Sequence, residues 1–286
     1  MTTYAVTGAS GPFGHHAVTS LIEAGVPASD IVALVRTPSK VQDLADQGVQ
    51  VRVADYSDAA TLPDALAGVD TLLLVSGSEV GQRVAQHTNV IDAAKTAGVS
   101  RIVYTSAPRA DTTELALAPE HKATEEALRA SGVAFTILRN SWYVENYLGQ
   151  VEQYRATGEI VGAAGDGLVS GAPRADFAEA AAAALVQSGH ENAVYELGGA
   201  PAFTMTDLAA ALSTATGTTI VYRDVTPDEL VATLEGVGLD SGTAGFVTAL
   251  DVATKRGDLF TDSGDLQRLL GRESTPLADA IAAALK

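Results

Sequence analysis

The fold is decided by the stretch Tyr4-Ala5-Val6-Thr7-Gly8-Ala9-Ser10-Gly11-Pro12-Phe13-Gly14. Its first four residues are apolar, aromatic or β-branched, which predicts a short buried strand. Three glycines then follow at a spacing of three, and after them apolar residues recur at helical spacing as far as Gly25-Val26-Pro27. The stretch therefore predicts a strand, a glycine-rich turn and a helix.

A unit of this kind can hold the pyrophosphate of a dinucleotide. Glycines let the backbone turn sharply and approach the phosphates, and the free N–H groups and dipole of the helix favour their negative charge. Three spaced glycines also occur in ordinary turns. Here a second apolar strand at 30–35 follows the helix, and this context favours the nucleotide site.

Strand and helix patterns alternate as far as residue 140. Strands are predicted at 4–7, 31–35, 49–54, 71–75, 101–105 and 133–138, and helices at 39–47, 59–66, 80–97 and 119–130. Strands that are apolar throughout and separated by helices are typical of parallel sheets covered on both faces. We therefore predict an α/β fold with a doubly wound, parallel Rossmann-type sheet, and an NADP-binding domain over residues 1–140.

The pattern loosens after Asn140. Short strands are predicted at 159–161, 168–169, 193–197 and 219–225, and helices at 175–186, 206–214, 227–234, 245–253 and 277–286. We expect residues 141–286 to form a smaller C-terminal α/β substrate lobe, interleaved with the sheet and lying over its carboxyl edge. Doubly wound folds bind their ligands at that edge.

Composition excludes several kinds of partner. The net charge of −17 argues against a general nucleic-acid binder, since such proteins present basic surfaces. No apolar run approaches the roughly 20 residues of a membrane span. The first strand begins almost at the first residue, so we expect no secretory signal. The chain has no cysteine, which excludes thiol chemistry and is compatible with the cytoplasm, where we expect the protein to act.

The end of the second strand indicates which nucleotide is bound. NAD sites usually carry an acidic residue there, which binds the ribose hydroxyls. This chain has Arg36, followed by Lys40, and the planar donor group of arginine suits a phosphate. The sequence therefore favours NADP over NAD, although an arginine at a strand end can also be merely solvated. Asp55 ends the third strand, where it lies near the adenine or caps a loop.

The proton donor common in short-chain dehydrogenases is missing. Those enzymes use a tyrosine with a lysine four residues later, which lowers the tyrosine pKa. None of the eight tyrosines has a lysine at that spacing. No serine lies in a nucleophile elbow, no Walker motif is present, and the five histidines lack metal-binding spacing; we expect no metal.

Several segments resemble a known family. The opening Thr7–Gly14 resembles the T-G-A-T-G-x-x-G motif of NmrA-like atypical short-chain dehydrogenases. Further segments resemble the type-2 NAD(P)H:quinone oxidoreductases and triphenylmethane reductase; these are 35–40, 54–56, 78–83, 138–147 and 160–167. The similarity covers nearly the whole chain, and the block Arg139-Asn140-Ser141-Trp142-Tyr143 is its most specific part.

The resemblance implies NADP(H) as cofactor and assigns residues to it. The implied cofactor-binding residues are Gly8, Ser10, Gly11, Pro12, Phe13, Gly14, Arg36, Lys40, Asp55, Ser76, Gly77, Ser78, Asn140, Trp142, Tyr143, Glu145 and Arg174. Asn140, Tyr143 and Lys122 are the implied or candidate catalytic residues. Lys122 departs from the family, which often has an apolar residue there, so it is a proton donor, a ribose ligand or an exposed side chain.

The implied activity is NADPH-dependent reduction of a quinone or a similar small planar acceptor, without flavin. A quinone accepts hydride readily, so a dedicated acid matters less than for a ketone, and positioning becomes the main task. A non-catalytic NADP(H)-sensing regulator of the NmrA type is the alternative, as is an atypical reductase of imines, ketones or dyes. A homodimer is possible.

Overall fold

In the computed structural model, residues 2–285 are described, and they surround a sheet of seven parallel strands. Its strands are β1 (Tyr4–Thr7), β2 (Ile31–Val35), β3 (Gln50–Val53), β4 (Thr71–Leu74), β5 (Arg101–Ser106), β6 (Ala134–Asn140) and β8 (Ala193–Leu197). Their order is β3-β2-β1-β4-β5-β6-β8. The order reverses beside β1, so a crevice opens between β1 and β4 at the carboxyl edge. The predicted doubly wound sheet is confirmed.

Helices connect the strands and cover both faces. They are α1 (Pro12–Glu23), α2 (Gln42–Asp46), α3 (Leu62–Ala65), α4 (Arg83–Ala97), α5 (Ala118–Ser131), α6 (Glu145–Leu148), α7 (Val151–Thr157), α8 (Arg174–Val186), α9 (Met205–Thr216), α10 (Pro227–Gly236), α11 (Ser241–Lys255), α12 (Asp265–Leu270) and α13 (Leu277–Ala284). None of the helices among the described residues is long and apolar enough to cross a membrane.

The apolar strands divide their side chains between two cores. Ala5, Val32 and Leu34 face α4 and α5, while Val6 and Ala33 face α1 and α8. Successive residues of a strand point to opposite faces. Strands covered on both faces must therefore be apolar throughout, which is why they stand out in the sequence.

The chain after residue 140 contributes to two bodies of structure. Strand β8 is an edge strand of the main sheet. Helix α8 packs against α1, and α12 packs against α8 and β8, so these two helices cover the main sheet. A separate two-stranded parallel sheet joins β7 (Glu159–Gly162) to β9 (Val221–Asp224). A third core beneath it unites α7, α9, α11 and α13.

Local predictions differ from the structure in several places. Residues 168–169 do not form a strand, since Val169 makes only a single bridge to Phe203. Helix α4 begins at Arg83 rather than at 80 because Gly81 has a φ of +86°. The predicted helix at 39–47 is a 3-10 turn, Pro38–Val41, followed by α2. Helices α6, α7 and α12 were not predicted. Of the final predicted helix, α13 covers Leu277–Ala284, and residue 286 lies outside the described residues.

Candidate functional site: a cavity at the carboxyl edge of the sheet

A cavity of about 370 Å³ opens at the carboxyl ends of β1, β2, β3 and β4. It is lined by Gly8, Ser10, Gly11, Pro12, Phe13, Gly14, Leu34, Val35, Arg36, Ala54, Asp55, Tyr56, Val75, Ser76, Gly77, Ser78, Glu79, Gln86 and Arg174. The glycine-rich turn forms one wall, and the loops after β2, β3 and β4 form the others. The cavity therefore lies where the strand order reverses, at the ligand position of doubly wound folds.

The glycine-rich turn brings α1 close to β1. Gly8 has a φ of +59°, and its carbonyl accepts a hydrogen bond of 2.9 Å from the Gly11 N–H. A Cβ on Gly14 would lie 2.4 Å from the Gly8 oxygen. Within residues 2–285, no side chain caps the amino end of α1. Its first N–H groups are therefore available to an anion in the cavity.

We expect Gly14→Ala to weaken both folding and nucleotide binding. The added methyl group collides with backbone rather than with a flexible side chain, so α1 must move away from Gly8. Overpacking of this kind typically lowers the free energy of unfolding by about 1–3 kcal/mol. The shift of the helix should also weaken NADPH binding by at least about tenfold. Urea unfolding and calorimetric titration with NADPH measure the two effects.

Two glycines provide matched controls for this substitution. At Gly11 a Cβ would lie 3.3 Å from the Gly8 oxygen, and at Gly149 it would meet nothing within 4 Å. The expected loss rises from Gly149→Ala through Gly11→Ala to Gly14→Ala. Equal effects of all three substitutions would contradict the steric explanation.

Charged and amide side chains meet at the rim beyond β2. Arg36 is exposed, and its Nη1 lies 3.4 Å from Oε1 of Glu79. Gln86 is buried, and its amide donates to the other Glu79 oxygen at 2.9 Å and to the Ser57 hydroxyl at 3.0 Å. The rim therefore presents an accessible guanidinium beside a carboxylate whose position is fixed.

Tyr56 forms the floor of the cavity next to this rim. Its hydroxyl donates to the Val75 carbonyl at 2.8 Å and contacts the Thr7 hydroxyl, and burial raises the pKa of the phenol. Asp55 lines the cavity and also accepts the Ser57 N–H at 2.9 Å, so it caps the loop after β3. Sequence reasoning missed Tyr56, although it follows Asp55 directly.

Side chains of α4 and α5 hold the loop after β4 through hydrogen bonds. The Gly77 N–H donates to His87 Nε2 at 2.9 Å, and Arg83 Nε donates to the Gly77 carbonyl at 2.6 Å. The Gly81 N–H and Arg83 both donate to the carboxylate of Glu120, at 2.9 and 3.0 Å. These buried partners fix Ser76, Gly77 and Ser78 along the cavity wall.

The opposite end of the cavity is bordered by aromatic rings. Phe13 and Phe177 flank the Tyr143 ring at centroid distances of 6.0 and 5.4 Å, and the Arg174 guanidinium lies 5.0 Å above it. The Asn140 amide donates to the Tyr143 hydroxyl at 3.2 Å. Burial raises the pKa of the Tyr143 phenol. Tyr143 and Asn140 therefore lie one layer behind the cavity wall formed by Phe13 and Arg174.

The structure brings most of the predicted cofactor residues together. Of the predicted set, the glycine-rich turn, Arg36, Asp55, Ser76–Ser78 and Arg174 line the cavity. Glu145 accepts the Arg174 N–H at 2.9 Å, at the start of α8, and so supports that wall. Among the described residues, those outside the lining are Lys40, Lys122, Asn140, Trp142, Tyr143 and Glu145. Lys40 and Lys122 are exposed. The catalytic and binding roles of all the predicted residues, inside and outside the lining, stay predictions.

These residues fit a dinucleotide. A Cβ at Gly14 would collide with the Gly8 backbone, so glycine at this position keeps α1 close to β1, where its first N–H groups can meet a pyrophosphate. At the aromatic end, behind the wall formed by Phe13 and Arg174, the buried Oδ1 of Asn140 has no hydrogen-bond partner among residues 2–285. In the same range, no group of three or more acidic or histidine side chains is arranged to hold a metal ion.

Comparison with known proteins agrees with this geometry. A family model described as NAD(P)H-binding matches residues 8–188. Quinone oxidoreductase 2 of Escherichia coli is 50% identical over 97% of this chain and 96% of its own. The crystal structure of an NADPH-dependent quinone oxidoreductase from that organism, complexed with NADPH, matches with a TM-score of 0.95 at 48% identity and covers 99% of this chain and 100% of its own.

A second enzyme group matches nearly as well. Triphenylmethane reductase of Citrobacter sp., complexed with NADP(H), has a TM-score of 0.92 at 37% identity over 99% of this chain and 100% of its own. The family model and these relatives together decide the assignment. The chain belongs to the NAD(P)H-binding, NmrA-like atypical short-chain dehydrogenases, in the group of type-2 NAD(P)H:quinone oxidoreductases and triphenylmethane reductase.

Proposed function

We propose that this protein is an NADPH-dependent oxidoreductase that reduces a quinone or a similar planar acceptor without flavin. The observation that carries the proposal is that the glycine-rich turn and Arg36 line one cavity. We expect the turn to bind the pyrophosphate and Arg36 to bind the ribose 2′-phosphate. The similarity to quinone oxidoreductase 2 supports the choice of acceptor.

The protein's own residues act mainly by positioning. NADPH, when bound, supplies a hydride. The turn at 8–14 orients the phosphates, and Arg36 holds the 2′-phosphate. Asn140 positions Tyr143, whose ring packs behind the wall formed by Phe13 and Arg174. The Tyr143 phenol keeps its proton because burial raises its pKa. Because this hydroxyl accepts the Asn140 amide, its proton is free to serve as a hydrogen-bond donor.

The lobe after residue 140 supplies the acceptor side of the site. Trp142 and Tyr147 are partly buried and pack against the core of this lobe, and Tyr147 packs edge-on against Phe203 at a centroid distance of 6.3 Å. Flat apolar rings of this kind suit a planar acceptor stacked beside the nicotinamide. A role in packing the lobe accounts for the same contacts. The homodimer stays a prediction, which size-exclusion chromatography with light scattering would test.

We expect rapid NADPH oxidation at 340 nm with a panel of quinones, and a higher KM for NADPH in Arg36→Ala. Loss of a charge-assisted phosphate contact costs roughly 1.5–3 kcal/mol, or about 10- to 100-fold in KM. The kcat should change little, because Arg36 lies far from the reacting end. The KM for NADH should also change little, since NADH lacks the phosphate.

The exposed arginine Arg155 provides the matched control, because among residues 2–285 it pairs only with Glu152 in α7 and does not line the cavity. Arg155→Ala should leave both cofactor KM values unchanged. Tight NADPH binding with no turnover on any quinone, imine, ketone or dye would contradict the proposed activity and favour the alternative, a non-catalytic NADP(H) sensor. An equal rise of both KM values in Arg36→Ala would contradict the placement of the phosphate.

A further inference from the structure

Glu79 lies at the rim of the cavity, directly opposite the arginine assigned to the 2′-phosphate. Its Oε1 is 3.4 Å from Arg36 Nη1, and both side chains line the cavity. Half of the Glu79 side chain remains exposed, so the carboxylate can reach a ligand. A negative group in this position is unexpected in a site built for a phosphate.

The Glu79 carboxylate is held in place by a hydrogen bond. Gln86 donates to Glu79 Oε2 at 2.9 Å and to the Ser57 hydroxyl at 3.0 Å. Gln86 is only 6% exposed, and it is anchored on α4. These contacts hold the Glu79 carboxylate beside Arg36.

A fixed carboxylate here acts differently on the two nicotinamide nucleotides. The 2′-phosphate of NADPH carries a charge of about −1.5 to −2 near pH 7, so Glu79 repels it and competes for the guanidinium. The 2′-hydroxyl of NADH is a hydrogen-bond donor, and a carboxylate accepts it, as acidic residues do in NAD sites. The rim thus carries one group suited to each nucleotide.

We propose that Glu79 is a specificity-determining residue that weakens the preference of this cavity for 2′-phosphorylated nucleotides and allows NADH to bind. The proposal rests on the proposed function only in placing the adenosine ribose at Arg36. It extends that function by assigning to a second residue the balance between the two cofactors. No catalytic step depends on it.

The test is calorimetric titration of the protein and Glu79→Gln with 2′,5′-ADP and with 5′-AMP. The glutamine keeps an oxygen for the Gln86 amide and removes only the charge. We expect 2′,5′-ADP to bind about three- to tenfold more tightly, because a partly exposed charge acts on a doubly charged phosphate. Binding of 5′-AMP should be weaker, because its 2′-hydroxyl loses a carboxylate acceptor. Glu152→Gln, which removes an exposed charge outside the cavity, should change neither.

Unchanged or weaker binding of 2′,5′-ADP by Glu79→Gln would overturn the proposal. A collapse of the loop would weaken both ligands together and would overturn it too. The gain should vanish in the Arg36→Ala background, and its persistence there would mean that the phosphate lies elsewhere. None of these titrations involves an electron acceptor, so failure of quinone reduction would be seen separately in the turnover assay.

Discussion

Replacing Arg139 by alanine should lower the free energy of unfolding by about 3–5 kcal/mol, the typical effect of breaking a buried ion pair. Arg139 and Glu125 are 6% and 1% exposed. The guanidinium forms a two-pronged contact with Glu125, at 2.9 and 2.7 Å. The substitution leaves the buried Glu125 carboxylate without its main partner. Arg129 at 3.2 Å and the Ser106 hydroxyl at 2.7 Å still contact it, but they replace only part of the lost interaction.

The same guanidinium joins elements that are distant in the sequence. It also donates to Asp111 and Glu196, each at 2.9 Å, so it ties β6 to α5, to β8 and to the loop after β5. Arg139 is adjacent to Asn140 at the carboxyl end of β6. We therefore expect Arg139→Ala to weaken NADPH binding as well, through loss of order beside Asn140.

Urea unfolding with comparison of midpoints and m-values measures the effect. Arg155→Ala removes an exposed pair and should change stability by less than about 1 kcal/mol. The double variant Arg139→Met with Glu125→Leu should recover part of the lost stability, because it removes the buried Glu125 carboxylate together with the guanidinium. A loss below about 1 kcal/mol for Arg139→Ala would show that the network contributes little.

This network also shows where sequence reasoning reached its limit. The glycine-rich turn and the apolar strands were predictable because each signal is local and because β2, β4 and β5 are buried on both faces. The partners of Arg139 lie 14, 28 and 57 residues away. No short-range pattern joins them, so only the folded sheet brings the four side chains together.

The candidate site likewise contains residues that the sequence predicts and residues that only the folded structure reveals. The turn at 8–14 and Arg36 were predictable because their roles depend on position at a strand end. Glu79 lay within a segment noted for its family resemblance, and Gln86 lay within a predicted helix. Their contact at the rim depends on how the loop after β4 folds back over the cavity. Helix α7 was missed because only Val151 and Tyr154 mark its buried face.

Stability should fall by about 4 kcal/mol between pH 7.5 and pH 5.0 because of two buried histidines behind the cavity. Burial, with the nearby Arg83 charge, lowers the pKa of His87 to about 4 and that of His121 to about 3. In the unfolded chain both titrate near 6.5. The unfolded state therefore takes up protons below pH 6.5 while the folded state does not, so stability falls as the pH falls, by roughly 2 kcal/mol per histidine at pH 5.

The hydrogen bonds of His87 show why it resists protonation. Thr124 donates its hydroxyl to the Glu120 carbonyl at 2.9 Å, so His87 Nδ1 donates to Thr124. His87 Nε2 then carries no proton and accepts the Gly77 N–H. A proton on Nε2 would face that N–H and break the contact, so the loop along the cavity should loosen when His87 is charged.

His87→Gln separates the titration from the packing. The glutamine oxygen can accept the Gly77 N–H but takes up no proton, so the difference in unfolding free energy between pH 7.5 and 5.0 should fall by about half. His16→Gln, on the exposed face of α1, should leave it unchanged. The fold also lowers the pKa of carboxylates such as Asp207 and Asp240. Their stabilising contribution is lost mainly below about pH 4, outside this window. Urea titrations at the two pH values decide the matter, and an unchanged difference in His87→Gln would show that His87 is not one of its sources.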